Sequence, residues 1–316
     1  MYFIRRFHVM NMAKIAHVRG KLYMIDAGYH GRRGVLSTYV VKGEKTAMID
    51  PGPTASIKGI LNGLEQLNVD PEEVEYVAPT HIHLDHAGGS WKLLEHCPKA
   101  QLYVHPRGAS HMVDPSRLVE SARGLFGDRV NDYGEMRGIP EERIVNSADG
   151  EGLDLGGVKL ITVWTSGHAS HHQSYYLAGD GAIILGDAGG IYNQRTNSVT
   201  PTSPPPFNPE QAMESLEKLI ALNPEVACYG HFGFAGDAVK RLRAHKEQLA
   251  LWVKVISEGL KEGLGMKGLY ERLRAEDPML KGMQAQRLES RLEERSPSVN
   301  LTGFIEYFKW LWAKKS

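Results

Sequence analysis

The chain of 316 residues is long enough for one large domain, or for one domain with an appendage. Apolar residues make up 42% and charged residues 23%, which is ordinary for a globular protein and excludes a disordered chain. Basic and acidic residues both number 37, so the formal net charge is zero. This balance excludes a global positive field of the kind that attracts nucleic acid or an anionic membrane surface.

Location is predicted from what the sequence lacks. No apolar run approaches the roughly 18 residues of a membrane span, and the first twenty residues contain no apolar signal-peptide core or cleavage site. We therefore expect a cytoplasmic protein with neither a membrane nor a nucleic acid as partner. Cys97 and Cys228 fit no metal or redox spacing, so we expect two buried thiols.

The first half of the chain alternates strand and helix patterns. Strands are predicted over LYMIDA and over the hairpin TYVVKGEKTAMID, and a helix over residues 54–68. The strand VEYVAP, the helix SWKLLEHC, the strand QLYVHP and a helix over residues 107–126 follow.

The second half repeats this order. LDLGGVKLITVWT predicts a strand pair and SYYLAGDGAIILGD a hairpin. Both hairpins end in an apolar strand followed by an aspartate, Asp50 or Asp187, which hints at two similar halves. A further helix is predicted from Pro209, with Asn208 as its N-cap and Gln211 completing a capping box.

Strand signals vanish after Gly236. Apolar residues then recur at helical spacing to the end of the chain, so the sequence divides into a mixed α/β body, residues 1–235, and a helical extension, residues 236–316. In the last helix, Tyr307 and Trp310 are predicted to lie off the main apolar face, where they would serve a partner or a pocket.

The stretch THIHLDHAGG carries the chemistry. His81, His83, Asp85 and His86 lie within six positions, and imidazole and carboxylate groups are the usual ligands of zinc, iron and manganese. In an extended backbone His81 and His83 point the same way, whereas Asp85 and His86 lie beyond a turn. One loop can thus present two pairs of ligands.

Four ligands do not complete two metal sites, so more must come from downstream. His168 in TSGHASHH, Asp187 in ILGDAGG and His231 in YGHFG each follow an apolar strand. Ligand sites gather at the carboxyl ends of strands in α/β sheets. These three residues are therefore the candidates that complete the centre, with Asp187 placed to bridge two ions.

This set of motifs resembles the metallo-β-lactamase superfamily. THIHLDHAGG resembles its HxHxDH motif, SGH, GD and GHFG resemble its later motifs, and MIDPG resembles its early aspartate motif. The resemblance covers roughly residues 15–235. It implies an α/β fold, a four-layer αββα sandwich with the metals at one edge, here followed by the all-helical extension.

The resemblance also implies a ligand set and two divalent ions. His81, His83 and His168 would hold the first metal, and Asp85, His86 and His231 the second, with Asp187 bridging. Asp50 would orient the opening loop through hydrogen bonds. Zn²⁺ is favoured, with Fe and Mn as alternatives, and no other cofactor is predicted.

Two such ions about 3.5–4 Å apart can share a hydroxide that attacks a polarised carbonyl or phosphoryl group. No GxSxG elbow is present. The sequence therefore predicts a metal-dependent hydrolase of a small ester, thioester or lactone. The alternatives are a non-haem iron oxidoreductase resembling persulfide dioxygenases, a phosphodiesterase acting on small molecules, and a metal-bound sensor without useful turnover.

Further residues are candidates for substrate contact or proton transfer. His171 and His172 follow His168 closely, and Tyr192 lies just past Asp187, where it would act as an electrophile on the carbonyl as in lactonases that it resembles. Whether any of them contacts substrate stays open at this point. The helical extension is expected to pack and form a homodimer, or to wall the substrate pocket.

Overall fold

Two mixed β-sheets stack face to face in the computed structural model, which describes residues 13–29, 32–284 and 296–314. The first sheet has seven strands in chain order: β1 (Lys14–Arg19), β2 (Leu22–Asp26), β3 (Thr38–Lys42), β4 (Thr46–Ile49), β5 (Val74–Ala78), β6 (Gln101–Val104) and β7 (Ile144–Asn146). Strands β1 to β4 pair antiparallel, and β4 to β7 pair parallel.

The second sheet has six strands in the order β15-β14-β11-β10-β9-β8. They are β8 (Gly152–Asp154), β9 (Lys159–Trp164), β10 (Gln173–Leu177), β11 (Ala182–Gly186), β14 (Val226–Tyr229) and β15 (Phe234–Ala235), and a separate hairpin joins β12 (Ile191–Asn193) to β13 (Ser198–Thr200). Only β11 and β14 pair parallel in this sheet. Each main sheet thus contains a hairpin whose second strand continues through a helix into a parallel neighbour.

Helices cover both outer faces. On the first sheet these are α1 (Ile57–Gln66), α2 (Leu84–Ala87), α3 (Ser90–His96), α4 (Pro106–Val113) and α5 (Ser116–Phe126); on the second they are α6 (Pro209–Ala221), α7 (Ala238–Lys261), α8 (Met266–Glu276), α9 (Pro278–Gln284) and α10 (Ser296–Ala313).

The alternating direction of side chains along the central strands explains how each sheet packs against both the other sheet and the outer helices. In β3, Tyr39 and Val41 belong to the core between the sheets, whereas Val40 packs against the outer helices. In β11, Ile184 faces the other sheet and Ile183 faces the helices. Because successive strand side chains point to opposite faces, strands buried on both sides read as continuous apolar runs. The predicted αββα sandwich is confirmed.

Within its described residues, 236–284 and 296–314, the helical extension has no core separate from that of the second sheet. Trp252 of α7, Leu269 of α8 and Phe304 of α10 lie in the same apolar cluster as Ile183 and Ala227 of the second sheet. The last strand ends at Ala235, and α7 begins at Ala238. The predicted helices therefore form the outer layer of the sandwich on this side.

The predicted helix over residues 107–126 and the predicted exposure of Tyr307 are wrong, whereas the exposure of Trp310 and the N-cap of α6 are confirmed. The helix predicted over residues 107–126 is two helices, because Pro115 has no N–H with which to continue the helical hydrogen bonds. Tyr307 is buried, whereas Trp310 is 50% exposed as expected. The N-cap of α6 forms as predicted, with Asn208 Oδ1 accepting from the Gln211 N–H.

Both cysteines are buried and free, as expected. Among the residues that the structure describes, no helix has the length and apolar character needed to cross a membrane.

We predict that Asp277→Ala destabilises the fold. The Asp277 carboxylate is fully buried and accepts from Gln248 Nε2 (2.9 Å), Trp252 Nε1 (2.8 Å) and the Met279 N–H (2.8 Å), which ties α7 to the start of α9. Its loss leaves buried donors unpaired, so the free energy of unfolding should fall by about 3 kcal/mol in urea denaturation. The neighbouring exposed Glu276→Ala is the control, and equal effects would contradict the prediction.

Candidate metal centre

The first sheet delivers four of the candidate ligands through one short loop. Strand β5 ends at Ala78, and the chain then passes His81 and His83 in the turn that leads into α2. Asp85 and His86 lie on α2, with His83 as its N-cap residue. The loop therefore places one pair of ligands before the helix and the other pair on it.

The second sheet delivers the other three. His168 follows β9, Asp187 directly follows β11, and His231 follows β14. Because β11 and β14 are parallel, their carboxyl ends meet at the same sheet edge. At Gly186 the φ angle is +53°, and an added Cβ would lie 2.5 Å from Thr80 Oγ1. Glycine here lets the end of β11 approach the loop of the first sheet.

The structure brings all seven predicted ligands together. Their donor atoms form three groups that share members, and within each group the donor atoms lie within 4.8 Å of one another. The groups are His81, His83 and His168; His81, His86 and Asp187; and Asp85, His86 and His231.

Asp187 lies at the centre of these groups. Its Oδ1 is 3.2 Å from His86 Nε2 and 3.4 Å from His231 Nε2, and its Oδ2 is 3.5 Å from His168 Nε2. One carboxylate therefore faces imidazoles of both ligand groups.

The donor atoms fit divalent cations. Within the described part of the chain, His81 Nε2, His86 Nε2 and Asp187 Oδ1 are buried and make no hydrogen bond. Each unsatisfied buried polar atom costs about 1–3 kcal/mol. Imidazole nitrogen and carboxylate oxygen are the ligand types that zinc prefers. A cation at this position would coordinate these atoms, of which His86 Nε2 and Asp187 Oδ1 otherwise form an ion pair at 3.2 Å.

On three of the histidines a contact at Nδ1 leaves Nε2 directed toward the ligand cluster; in His168 that Nε2 lies 3.0 Å from His83 Nδ1. His81 Nδ1 lies 3.1 Å from Thr80 Oγ1, His86 Nδ1 lies 3.0 Å from Asp50 Oδ2, and His168 Nδ1 donates to the Thr202 carbonyl at 3.0 Å. A partner at one ring nitrogen fixes the tautomer and the ring plane, so that the other nitrogen can bind a metal.

Asp50 orders the opening loop without joining the ligand cluster. Its Oδ1 accepts from the Thr80 N–H (2.7 Å), and its Oδ2 contacts Thr80 Oγ1 and His86 Nδ1. The side chain is buried, directly after the end of β4. One carboxylate thus fixes both the start of the loop and a histidine on α2.

The direction of the pKa shift divides four of the candidate histidines into two groups. Burial is the main reason why the pKa values of His81, His83 and His168 lie below the ordinary histidine value, so these rings are neutral at pH 7. Burial also acts to lower the pKa of His86, but Asp187, Asp50 and Asp85 raise it well above the ordinary value. Binding of a cation at His86 must therefore release a proton.

Burial acts to raise the pKa of Asp187. The neighbouring His231, His86 and His168 outweigh this effect and hold the pKa well below the ordinary value. The carboxylate is consequently ionised in its buried position and carries the negative charge that a cation would meet.

Three further predicted residues lie in different surroundings. His171 is partly exposed and stacks beside His81 at 6.3 Å between ring centroids, and burial lowers its pKa to about 3. His172 is fully buried, where its Nε2 accepts from the Asp187 N–H at 3.0 Å. The Tyr192 hydroxyl donates to Asn197 Oδ1 at 3.0 Å, and its ring stacks on Tyr229 in the core between the second sheet and the helices.

Comparison with known proteins agrees with this geometry. A model of the metallo-beta-lactamase superfamily matches residues 30–231, which include all seven ligand candidates. The chain belongs to the metallo-beta-lactamase superfamily.

Relatives in the superfamily cover the chain to different extents. The metallo-beta-lactamase fold-containing protein ST1585 of Sulfurisphaera tokodaii is 31% identical over 72% of this chain and 84% of its own length. Its crystal structure superposes with a TM-score of 0.66 at 26% identity, over 92% of this chain and 100% of that one.

Two other relatives match over shorter stretches. A hydroxyacylglutathione hydrolase of Synechococcus is 28% identical over 56% of this chain, and the N-acyl homoserine lactonase AttM of Agrobacterium fabrum is 26% identical over 38%. The chain spans 54% and 42% of the lengths of these two relatives.

Sequence reasoning missed the residues that join the two sheets at this superfamily site. Gln173 of β10 donates from its N–H to the Thr80 carbonyl (2.8 Å), and the Tyr39 hydroxyl donates to the Tyr229 carbonyl (2.8 Å). Thr202 was missed as well, although it contacts two of the ligands. Thr202 and Tyr39 have no metal-binding signal in their sequence surroundings, and Gln173, although it follows TSGHASHH, has no signal for its contact with Thr80.

We predict that Asp50→Ala weakens metal binding by roughly 10- to 100-fold, because loss of a partner of a ligand histidine has effects of this size. The affinity of apoprotein for Zn²⁺ would be measured by competition with a chromophoric chelator. Asp154→Ala, which removes an aspartate that accepts from the Gly156 N–H in an exposed turn, is the control. Unchanged affinity in Asp50→Ala would contradict the role assigned to this residue.

Proposed function

We propose that the protein is a dinuclear metal-dependent hydrolase of a small ester, thioester or lactone. The convergence of seven histidine and aspartate side chains on one sheet edge is the observation that supports this proposal. His81, His83 and His168 would hold one ion and Asp85, His86 and His231 the other, with Asp187 facing both. When bound, two divalent ions supply Lewis acidity, which lowers the pKa of water and polarises a carbonyl oxygen.

Four side chains at or near the centre have separate proposed roles. Asp187 is the ionised carboxylate that faces both groups, and the His172 ring holds the Asp187 backbone in place. We therefore propose that His172 positions the centre. His171 is neutral at pH 7 and lies beside the ligands, so it can form a hydrogen bond with substrate but carries no imidazolium proton to donate. The Tyr192 ring packs in the helix-side core, which supports a structural role.

Substrate would approach from the side of Asp85 and His231. Their side chains are 23% and 20% exposed, whereas those of His86 and Asp187 are at most 4% exposed. A stacked tyrosine pair, Tyr29 and Tyr133, lies on this side with ring centroids 5.8 Å apart. Burial first, and the charge of Asp85 second, raise the pKa of Tyr133, so its phenol stays protonated at pH 7.

An apolar patch continues from the tyrosine pair. Leu84, Ala122 and Val130 form a small buried cluster, and Phe126 packs edge-on against Tyr133. The acyl part of a substrate would contact such a surface, and a protonated phenol would donate to its carbonyl or leaving group. Esters, thioesters and lactones combine an apolar portion with a carbonyl, and two relatives are named as a hydroxyacylglutathione hydrolase and an N-acyl homoserine lactonase.

The decisive experiment joins elemental analysis with a substrate panel. Purified protein should contain about two divalent ions per chain and hydrolyse one class among lactones, thioesters and carboxylic esters, with activity lost on chelation and restored by Zn²⁺. One iron per chain, oxygen uptake with a persulfide and no hydrolysis would instead support the oxidoreductase alternative. Cleavage confined to phosphodiesters would overturn the proposed substrate class.

We predict that Asp187→Ala lowers turnover by about 1,000-fold or more and reduces metal content, because the carboxylate common to both ligand groups is lost. Steady-state kinetics and elemental analysis of the same samples would measure both effects. Asp180→Ala, in the turn at the other end of the β10–β11 hairpin, is the matched control. An Asp187→Ala enzyme with full activity and full metal content would refute the proposed mechanism.

Tyr133→Phe should retain metal and fold but lower kcat/KM by about 10-fold, because the ring packing stays while the phenolic donor is lost. Tyr133→Ala should raise KM further for substrates with longer acyl groups. Steady-state kinetics over an acyl-chain series would test this, with Tyr176→Phe on the helix-facing side of β10 as the control. Identical kinetics for Tyr133→Phe and the wild type would remove Tyr133 from the site.

A further inference from the structure

The segment 201–203 holds two ligands of the proposed metal centre at once. The Thr202 carbonyl accepts from His168 Nδ1 at 3.0 Å, and Thr202 Oγ1 donates to Asp187 Oδ2 at 3.0 Å. His168 and Asp187 belong to different ligand groups of the cluster. The position of Thr202 thus affects the geometry of both.

The last helix fixes this segment on both sides of Thr202. Asn300 Oδ1 accepts from the Ser203 N–H (2.8 Å), and Asn300 Nδ2 donates to the Pro201 carbonyl (2.8 Å). The Ser203 hydroxyl in turn donates to the Asn300 main-chain carbonyl (3.1 Å). These bonds join residues 97–99 positions apart in the chain, and both Asn300 and Ser203 are buried.

Close backbone approach makes this contact specific. A Cβ added at Gly303 of α10 would lie 1.9 Å from the Ser203 carbonyl oxygen, so only glycine allows the observed distance. One residue further on, the buried Phe304 packs on Phe207 with ring centroids 4.8 Å apart. Helix α10 is therefore seated directly against the segment that contacts the ligands.

Rigid support of a metal ligand matters for affinity. Partners of ligand residues typically change metal affinity by about 10- to 100-fold when they are removed. Thr202 contacts the ligands directly, and Asn300 satisfies the amide of Ser203 and the carbonyl of Pro201, the two residues that flank it. Asn300 can therefore act on the metal centre through the backbone on either side of Thr202, although it does not contact a ligand itself.

We propose that Asn300 is a positioning residue of the metal centre, so that helix α10 completes the site through Thr202. This inference rests on the proposed function, because it assumes that His168 and Asp187 bind metal. It assigns the C-terminal helix a part in metal binding in addition to packing. Loss of the Asn300 contacts should loosen His168 and Asp187 while the rest of the ligand loop stays in place.

The test uses the full-length protein with isosteric substitutions. Asn300→Leu keeps the branched shape of the side chain and removes its two hydrogen bonds, and Thr202→Val removes only the hydroxyl that donates to Asp187. Apoprotein affinity for Zn²⁺ would be measured by chelator competition, and the visible absorption of Co²⁺-loaded protein would report ligand geometry. We expect affinity to fall by about 10-fold or more in each variant, with a changed Co²⁺ spectrum.

Controls separate this effect from a general loss of stability. Asn62→Leu removes an asparagine of α1 that accepts from the Ala13 N–H (2.8 Å) on the outer side of the first sheet, so it should lower stability without altering metal affinity or the Co²⁺ spectrum. Thr202→Ser keeps the hydroxyl and should retain near wild-type affinity. In the double variant Asn300→Leu/Thr202→Val the losses should be less than additive, because both substitutions act on the same ligands.

The outcomes distinguish this inference from the proposed function. Wild-type protein that takes up no metal would overturn both. Metal binding by the wild type, together with unchanged affinity and spectrum in Asn300→Leu, would overturn the role of Asn300 alone. Strictly additive losses in the double variant would also overturn it, because they would place Asn300 and Thr202 in independent networks. If Asn300→Leu fails to fold, Asn300→Ser and the Thr202→Val spectrum provide the same comparison.

Discussion

The buried carboxylate of Asp187 is the constraint on which the site depends. It is 5% exposed, and an isolated buried charge is strongly unfavourable. Imidazoles from both sheets surround it and keep it ionised, while Thr202 Oγ1 and the N–H held by His172 fix its position. One oxygen is still left without a hydrogen bond. The folded chain therefore holds an ionised carboxylate among imidazoles from both sheets, and a divalent cation bound there would replace the imidazole proton of His86.

Neither sheet can form this arrangement alone. The first contributes the ligand loop, and the second contributes His168, Asp187 and His231. Contacts that cross between the sheets, such as those from Gln173 to the Thr80 carbonyl and from Tyr39 to the Tyr229 carbonyl, set the distance between the two ligand sets. The candidate metal centre thus lies between the two sheets, and the packing of the inter-sheet core determines the distances between its side chains.

The outer helical layers also contribute to the surroundings of the candidate metal centre. Phe126 of α5 and Tyr133 after it pack in an apolar cluster with Leu84 of α2, the helix that contains two candidate ligands, whereas α10 contacts the segment that contains Thr202. The helical extension shares its apolar core with the second sheet. Packing of the extension and geometry of the metal centre are therefore physically connected, although the two are far apart in the chain.

The sequence by itself determined the fold class and the metal-ligand candidates, because both depend on local signals. Strand periodicity predicted the strands, and THIHLDHAGG with three strand-end residues supplied the ligand candidates, since strand ends meet at one sheet edge. The four-layer sandwich followed from the resemblance of these motifs to the superfamily. Three residues that the sequence made equal candidates for substrate contact lie in different surroundings. His171 lies beside His81, the buried His172 contacts the Asp187 N–H, and Tyr192 packs in the core between the second sheet and the helices.

Only the tertiary structure decided which residues support the centre. Nothing in the sequence around Thr202 or Asn300 indicates a role, and the motif next to Gln173 does not reveal its contacts, because these contacts join segments up to 99 residues apart. Long-range hydrogen bonds of this kind follow from how the layers dock, and local periodicity contains no information about docking. The sequence thus specified the donor atoms, and the packing of sheets and helices specified their orientation.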